Sequence, residues 1–142
     1  MKNMVLLIDT NILIDVLCER EEFLDDSKKV FDLCYSGKIK GIIAAHSITN
    51  IFYILRKGYT DEQRRNLLLS LFTYFGVSSI DEQKLRSALI RSDFNDFEDC
   101  LQNECAVEEK ADCIITRNKK DFENADVKVY TPGEFIEYLE EM

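Results

Sequence analysis

The stretch "LLIDTNILIDVL", residues 6–17, decides the fold class of this chain. Its apolar start, up to Ile8, is typical of a buried strand, and the residues after Asn11 have the apolar spacing of a helix. Asp9 stands directly after the strand. A carboxylate so close to buried surface needs a partner or a metal ion, because burying an unpaired charge is costly. Asp9 is therefore the first candidate functional residue, whereas Asp15 is predicted to lie on the solvent-facing side of the helix.

Short segments rich in Ile and Val recur along the chain, and amphipathic helical patterns alternate with them. The predicted strands are residues 4–8, 41–45, 76–80, 112–116 and 127–130. This alternation predicts an α/β fold with a mostly parallel sheet. The length of 142 residues, the single proline and the lack of low-complexity tracts favour one domain covering residues 1–142.

Capping residues mark the predicted helix starts. Thr60 and Thr131 each have Gln or Glu three residues later, which is the capping-box pattern. Asp81 and Asp96 precede helical segments and can accept hydrogen bonds from backbone N–H groups. Gly76 falls where a preceding helix is expected to stop. These signals predict where the helices begin and end.

The composition indicates an acidic globular protein. There are 18 Lys and Arg against 27 Asp and Glu, a formal net charge of -9. This charge argues against a tight duplex-DNA binder, but not against a nuclease, because metal-binding carboxylates are themselves acidic. Five cysteines without a C-x-x-C pair predict buried thiols in a reducing compartment, and the lone His46 argues against zinc.

No segment predicts contact with a membrane. No apolar run approaches the ~20 residues needed to cross a bilayer. The N-terminal "MKNMVLLIDT" makes a poor signal peptide, because its apolar run is short and ends in Asp. We therefore expect a cytoplasmic protein.

Open parallel sheets bind ligands outside the carboxyl ends of their strands, and this rule selects among the acids. Asp9 follows the first predicted strand, and Asn118 follows the fourth. Asp96 and Asp99 open the helix that leads into the fourth strand, while Asn50 lies near the start of the helix after the second. Four separate segments thus bring oxygen ligands to one end of the sheet. Such a donor set suits Mg²⁺, which prefers oxygen ligands.

Each of these residues also has a purely structural interpretation. Asp9 can cap the first helix, Asp96 can be an ordinary N-cap, and Asp99 can be a surface acid favoured by the helix dipole. Asn50 can face solvent, and Asp121 can cap the turn before the last predicted strand. Asp9 is the hardest to explain in this way, because it lies next to buried surface.

Several segments together resemble the PIN-domain family, the VapC-like toxin nucleases. They are "LIDTNILIDVL" (7–17), "HSITNIFYILRK" (46–57), "DFNDFEDCLQNECAVEEKADCIITRNKKDF" (93–122) and "TPGEFIEYL" (131–139). The resemblance spans nearly the whole chain. It implies a three-layer α/β/α sandwich around a mostly parallel sheet, and an endoribonuclease that depends on Mg²⁺ or Mn²⁺. It further implies RNA as substrate, a small antitoxin protein as partner, and a homodimer.

The family places acids at four positions. Asp9 matches the first, and Asp99 best matches the third. The second falls at Asn50, where the family often has Glu, and the fourth falls at Asn118, where it often has Asp. An amide oxygen can coordinate Mg²⁺ but adds no negative charge. We therefore expect weaker metal binding here, unless a neighbouring acid replaces the lost charge.

Asp96 and Asp121 can supply that charge, since each lies three residues from a matched position. The hypothesis is that Asp9 and Asp99 are catalytic and that Asp9, Asp96 and Asp99 hold the metal ion. The expected supporting residues are Asn50, Asn118, Asp121 and Thr116. The expected contacts to RNA phosphates are Arg117, Lys119 and Lys120.

Two other functions remain open from the residues. The amides at two usually acidic positions are also compatible with a catalytically weak or inactive PIN-like module that binds RNA or a protein partner. A phosphatase of the haloacid-dehalogenase kind also has an Asp after its first strand, but it needs a second Asp two residues later. That place is taken by Asn11, which argues against phosphatase chemistry.

Overall fold

A computed structural model describes residues 3–142; the first two residues of the N-terminal segment lie outside the described part. Five strands form a single sheet in which all neighbouring strands are parallel, in the order β3-β2-β1-β4-β5. The strands are β1 (Val5–Ile8), β2 (Lys40–Ala44), β3 (Phe75–Ser78), β4 (Cys113–Ile115) and β5 (Lys128–Tyr130). Each of the five predicted strands is confirmed.

Within residues 3–142, seven helices connect and cover the strands. They are α1 (Thr10–Leu17), α2 (Glu21–Tyr35), α3 (Ala45–Ile54), α4 (Asp61–Tyr74), α5 (Glu82–Ile90), α6 (Phe97–Glu108) and α7 (Pro132–Glu140). Two short 3-10 turns follow α3 and β4, at Leu55–Lys57 and Lys119–Phe122. Within residues 3–142, no helix is both long and apolar enough to cross a membrane.

The helices lie on both faces of the sheet, because successive strand residues point to opposite sides. Leu6 and Ile8 pack on one side with apolar residues of α1–α4 and α7, such as Phe135. Leu7 packs on the other side with α6, including Ala106, and α5 packs against α6. The predicted three-layer α/β/α sandwich is confirmed.

The capping predictions are also confirmed. The hydroxyls of Thr60 and Thr131 accept the N–H groups of their third helical residues in complete capping boxes. The carboxylates of Asp81 and Asp96 likewise accept backbone N–H bonds at the starts of α5 and α6. Helix starts were predictable because they depend on local side-chain chemistry.

One of two further local predictions is wrong. Helix α4 stops at Tyr74 and β3 begins at the next residue, so Gly76 follows the end of the helix as predicted and lies inside the strand. A Cβ at this position would lie 2.8 Å from Cδ1 of Ile42 on the neighbouring strand, so close packing explains the glycine. Four of the five thiols are buried as expected, but Cys18, just after α1, is exposed.

Candidate active site

The candidate site lies at the carboxyl ends of β1, the central strand of the sheet, and its neighbour β4. The connection after β1 leads to β2 on one side and the connection after β4 leads to β5 on the other, so a crevice forms where the strand order diverges. A cavity of about 410 Å³ opens at this place. Its lining residues are Asp9, Thr10, Asn11, Ile14, His46, Asn50, Tyr53, Ile54, Asp96, Glu98, Asp99, Gln102 and Asp121. The fold therefore brings together side chains from four separate segments.

Asp9 lies at the floor of this cavity and is only 4% exposed. It occupies the N-cap position of α1, yet its side chain makes no capping hydrogen bond. Instead, Oδ1 accepts a hydrogen bond from Nε2 of Gln102 at 2.9 Å, and Oδ2 accepts one from Oγ1 of Thr116 at 2.8 Å. Burial raises the pKa of Asp9, and these hydrogen bonds oppose the rise. Because both donors are uncharged, they orient the carboxylate without neutralising it.

Asp99 lies in the first turn of α6 and faces the same cavity. Its Oδ1 is 3.5 Å from Nε2 of Gln102, so the two acids share one amide donor. The pKa of Asp99 is raised to about 7, first by burial and then by the negative charges of the neighbouring acids. Those acids are Asp96, Asp9, Asp121 and Glu98. The site thus concentrates negative charge in a partly buried space.

Asp96 caps α6 and also lines the cavity. Its Oδ1 accepts the backbone N–H of Asp99 at 2.9 Å, as an N-cap does. Its carboxylate also lines the cavity. One carboxylate can do both, because the capping bond uses only one of its two oxygens.

Asn50 lines the cavity from α3 and binds an acid that the sequence reasoning missed. Its Nδ2 donates to Oε2 of Glu98 at 3.1 Å, and the ring Nε2 of His46 lies 3.1 Å from the backbone oxygen of Glu98. Burial lowers the pKa of His46. Glu98 therefore places a carboxylate beside the amide at position 50. The distance of 48 residues between the partners explains why no local pattern revealed this pair.

Asp121 lines the cavity, whereas Asn118 lies outside it. Asp121 lies in the 3-10 turn after β4 and lines the cavity. Asn118 is exposed and is absent from the lining, but its backbone N–H donates to Oγ1 of Thr116 at 3.1 Å. Of these two, Asp121 is the residue that brings charge to the site, whereas Asn118 helps to orient the hydroxyl that holds Asp9.

Arg117 does not line the cavity. Its Nε donates to Oδ2 of Asp15 at 2.8 Å, and its guanidinium lies 3.9 Å from the centre of the Phe23 ring. Asp15 is completely buried, so its predicted solvent-facing position is wrong. The reason is that α2 packs against α1 and covers this face, with the hydroxyl of Ser27 donating to the same carboxylate at 3.4 Å.

The two lysines after Arg117 are accessible. Nζ of Lys119 forms an ion pair with Glu134 of α7 at 3.2 Å, with both side chains about half exposed. Lys120 is exposed as well. Both belong to the 3-10 turn that carries Asp121, so they lie beside the cavity rather than inside it.

The residues of the cavity fit a hard divalent cation in their chemistry. Within residues 3–142, no three Asp, Glu, His or Cys side chains already stand together as a metal-binding cluster. The cavity nevertheless offers carboxylate and amide oxygens, which Mg²⁺ and Mn²⁺ prefer. Oε1 of Gln102, a residue of the cavity lining, is buried and has no hydrogen-bond partner among the described residues. Within residues 3–142, the carboxylate of Asp9 accepts side-chain hydrogen bonds only from neutral donors, so a cation would supply the counter-charge that it lacks.

Known proteins resemble this chain in sequence and in architecture. The profile of the PIN domain matches residues 5–120. Ribonuclease VapC1 of Aquifex aeolicus (strain VF5) is 26% identical over 135 residues, which cover 92% of each chain. A structure titled as a toxin-antitoxin complex from Klebsiella pneumoniae contains a chain with a TM-score of 0.67 and 23% identity, covering 89% of this chain and 96% of that one.

A second solved structure contains VapBC2 from Rickettsia felis bound to a DNA fragment from its promoter. Its matching chain has a TM-score of 0.64 and 18% identity, covering 90% of this chain and 98% of that one. At such identities the structures demonstrate a common fold. The profile match spans every strand but the last and includes Asp9, Asp96 and Asp99. The resemblance inferred from the sequence is confirmed, and the chain belongs to the PIN-domain family.

Proposed function

We propose that this protein is an endoribonuclease that hydrolyses RNA phosphodiester bonds with Mg²⁺ or Mn²⁺, as the toxin of a toxin–antitoxin pair. The observation that carries this proposal is the environment of Asp9. A buried carboxylate, held only by neutral donors, faces a cavity that other carboxylates share. A relative of almost equal length that is named a ribonuclease supports the same activity.

Asp9, Asp96 and Asp99 are the residues that we assign to metal binding, and Asp9 and Asp99 are the proposed catalytic pair. A bound divalent cation supplies charge neutralisation at the phosphate and lowers the pKa of a water molecule. Thr116 fixes the carboxylate of Asp9 through its hydrogen bond, so that this carboxylate is oriented before substrate arrives. Asp99, in the first turn of α6, is the residue to which we assign the orientation of the attacking water.

The supporting residues act around this pair. Asp121 adds negative charge at the cavity, and Asn50 orients Glu98 by its amide. Asn118 acts through the hydroxyl of Thr116. The extra charge of Asp121 and Glu98 offsets the amides found at two usually acidic positions.

RNA needs cations and stacking surfaces next to these acids. We assign the phosphate contacts to Lys119 and Lys120, while Arg117 acts as a structural link to Asp15. Tyr53 lines the cavity and is 62% exposed, and the guanidinium of Arg56 lies 3.7 Å from the centre of its ring. Such an aromatic and arginine pair can stack an unpaired base, so single-stranded RNA fits this rim.

We further propose that a small antitoxin protein binds this chain and that the chain forms a homodimer. Both follow from the family, and the matched structures of toxin–antitoxin complexes support the first. Light scattering of the purified protein tests the dimer. Co-expression with a neighbouring small open reading frame, followed by purification through a tag on this chain, tests the partner.

The activity is tested with purified protein and mixed single-stranded RNA. We expect cleavage with Mg²⁺ or Mn²⁺, none with EDTA, and loss of cleavage in Asp9→Asn and Asp99→Asn. Asp32→Asn is the matched control, because Asp32 is an exposed acid on α2 that pairs with Lys28 away from the cavity. Equal cleavage by wild type and both site variants would identify a contaminant and reject the proposal.

The same experiment distinguishes the alternative function, a PIN-like module that binds RNA without cutting it. RNA that binds with measurable affinity but is never cut, with either cation, favours the inactive RNA-binding module. This alternative is suggested by Asn50, which stands where the family often has Glu. Substituting Asn50→Glu and testing for a gain of cleavage separates a weakened enzyme from a module.

A further inference from the structure

Gln102 joins the two carboxylates of the proposed catalytic pair. It lies on α6, three residues after Asp99, so the two side chains share one face of the helix. Its Nε2 donates to Oδ1 of Asp9 at 2.9 Å and lies 3.5 Å from Oδ1 of Asp99. The partial positive charge of one amide group thus faces both acids.

The other end of the same amide is unsatisfied. Gln102 is 2% exposed, and its Oε1 has no hydrogen-bond partner. Buried polar atoms nearly always have a partner, so an unpaired oxygen on a residue that lines the cavity requires an explanation. The terminal torsion of glutamine is broad and roughly two-fold, and a half turn exchanges the places of Oε1 and Nε2.

We propose that Gln102 is a positioning residue that serves the metal site in two orientations. In the orientation seen in the structure, its N–H groups hold Asp9 and Asp99 together. When a divalent cation enters the cavity, the amide turns, withdraws its donors from the carboxylates, and offers Oε1 to the cation or to a water beside it. This inference rests on the proposed function, because it assigns a role at that site.

Electrostatic interactions determine which orientation of the Gln102 amide is favoured in each state. Before a cation arrives, Oε1 facing the two carboxylates would be repelled, whereas Nε2 is attracted. A divalent cation reverses both signs, because it repels N–H groups and attracts the carbonyl oxygen. Gln102 therefore limits repulsion between the acids in one state and adds a neutral ligand atom in the other.

Three variants separate this role from simple packing. Gln102→Met keeps the length and the apolar stem but removes both the donor and the oxygen. Gln102→Glu keeps oxygen atoms and removes the donor. Asn103→Ala is the control, because Asn103 is the next residue of α6, is equally buried, and binds Asp126 rather than an acid of the cavity.

The measurement is Mn²⁺ affinity by isothermal titration, together with the melting temperature of the metal-free protein. We expect Gln102→Met to bind Mn²⁺ at least 10-fold more weakly, since supporting residues of metal sites contribute about 10–100-fold. Gln102→Glu should bind Mn²⁺ as tightly as wild type or more tightly, yet melt at a lower temperature without metal. Asn103→Ala should bind Mn²⁺ as wild type does. Wild-type Mn²⁺ affinity in Gln102→Met would overturn the proposal.

A measurement on the unchanged protein covers the case in which a variant does not fold. The side-chain amide signals of Gln102 are followed by ¹⁵N NMR during titration with diamagnetic Mg²⁺. A turn of the amide predicts a large shift of both proton signals as their carboxylate acceptors are lost. Signals that stay unchanged at saturating Mg²⁺ would overturn the proposal.

The failure of this inference differs from failure of the proposed function. If wild type binds no Mn²⁺, or if Asp9→Asn binds it equally well, the metal-dependent function itself is rejected. If wild type binds Mn²⁺ and Asp9→Asn does not, but Gln102→Met binds it normally, only the role of Gln102 is rejected.

Discussion

Helix α1 has a buried carboxylate at each end, and the two have opposite surroundings. Asp9 at its start is held by Gln102 and Thr116, which are neutral donors. Asp15 near its end is held by the charged Arg117, with Arg20 at 3.8 Å. Burial raises the pKa of both acids, opposed mainly by hydrogen bonds at Asp9 and by the charge of Arg117 at Asp15.

The difference between the two acids distinguishes function from structure. Asp15 has its counter-charge inside the fold, although its Oδ1 accepts no hydrogen bond from the described part of the chain. Asp9 has partners that orient it but leave its charge uncompensated, beside a cavity lined by further acids. Burial alone therefore does not distinguish the two acids, whereas the neutral donors and the cavity beside Asp9 do, and these support the metal-binding role proposed for it.

The largest expected effect comes from Asp9→Asn. We expect RNA cleavage to fall on the order of 10³-fold, because the variant loses the oriented charge that binds the cation. The free energy of unfolding without metal should stay within about 1 kcal/mol of wild type or rise, since a buried charge disappears. Urea denaturation measures this second effect. A loss of several kcal/mol would mean that Asp9 is a structural acid like Asp15.

Asp15→Asn should give the opposite result. We expect the free energy of unfolding to fall by about 3 kcal/mol, because Arg117 is left largely buried without its counter-charge. Mn²⁺ affinity of the folded variant should remain within about twofold of wild type. Urea denaturation and titration calorimetry test the two statements. A stability equal to wild type would remove the contrast between the two ends of α1.

The dependence of stability on pH tests a second acid of the cavity, Asp99, which like Asp9 has no arginine partner within residues 3–142 of the kind that Asp15 has. Asp99 has a pKa of about 7 in the folded protein and an ordinary value near 3.8 when unfolded. A raised folded pKa means that the folded state holds the proton more tightly, so this contribution to stability is present at low pH. It is lost as pH rises from about 4 through about 7.

We expect this loss of stability to be roughly 2 kcal/mol in metal-free protein. This is about half of what the whole pKa shift corresponds to, because Asp99 is partly exposed and water screens its charge. Urea denaturation between pH 4 and pH 8 measures it. Asp99→Asn should flatten the profile, and saturating Mg²⁺ should oppose the loss at pH 7 to 8. An Asp99→Asn profile that keeps the wild-type slope would show that another group titrates.

The smallest effect is expected from Arg20→Ala. Arg20 lies 3.8 Å from Asp15, and its side chain is 43% exposed, so water screens the pair. We expect the free energy of unfolding to fall by about 0.5 kcal/mol, with Mn²⁺ affinity unchanged. Equal losses in Arg20→Ala and Arg117→Ala would show that the two arginines share the role assigned to Arg117.

Much of the fold was predictable, because its signals are local. Strand composition, capping boxes and aspartate N-caps all act within a few residues. The rule about carboxyl ends of parallel strands then placed Asp9 correctly, although the expected cap by its side chain is absent. Gly76 follows the end of α4 as predicted, but the close approach of Ile42 on the neighbouring strand has no local signal in the sequence.

The site was predictable only in part, since its partners come from distant segments. Asp15 was placed in solvent because only the packing of α2 covers that face. Glu98 was missed because its partner Asn50 lies on another helix. Gln102 had a usable signal, its spacing of three residues from Asp99, but that spacing does not reveal a bond to Asp9 across 93 residues.

Thr116 and Arg117 are consecutive residues, and they hold the two ends of α1 separately. The hydroxyl of one binds Asp9, and the guanidinium of the other binds Asp15. A single residue inserted between them would displace one of these two side chains from its carboxylate by one Cα–Cα spacing, about 3.8 Å. The loop after β4 therefore has a fixed length, unlike the exposed turn at residues 58–60. Engineered insertions such as tags or linkers belong in that turn and not after β4.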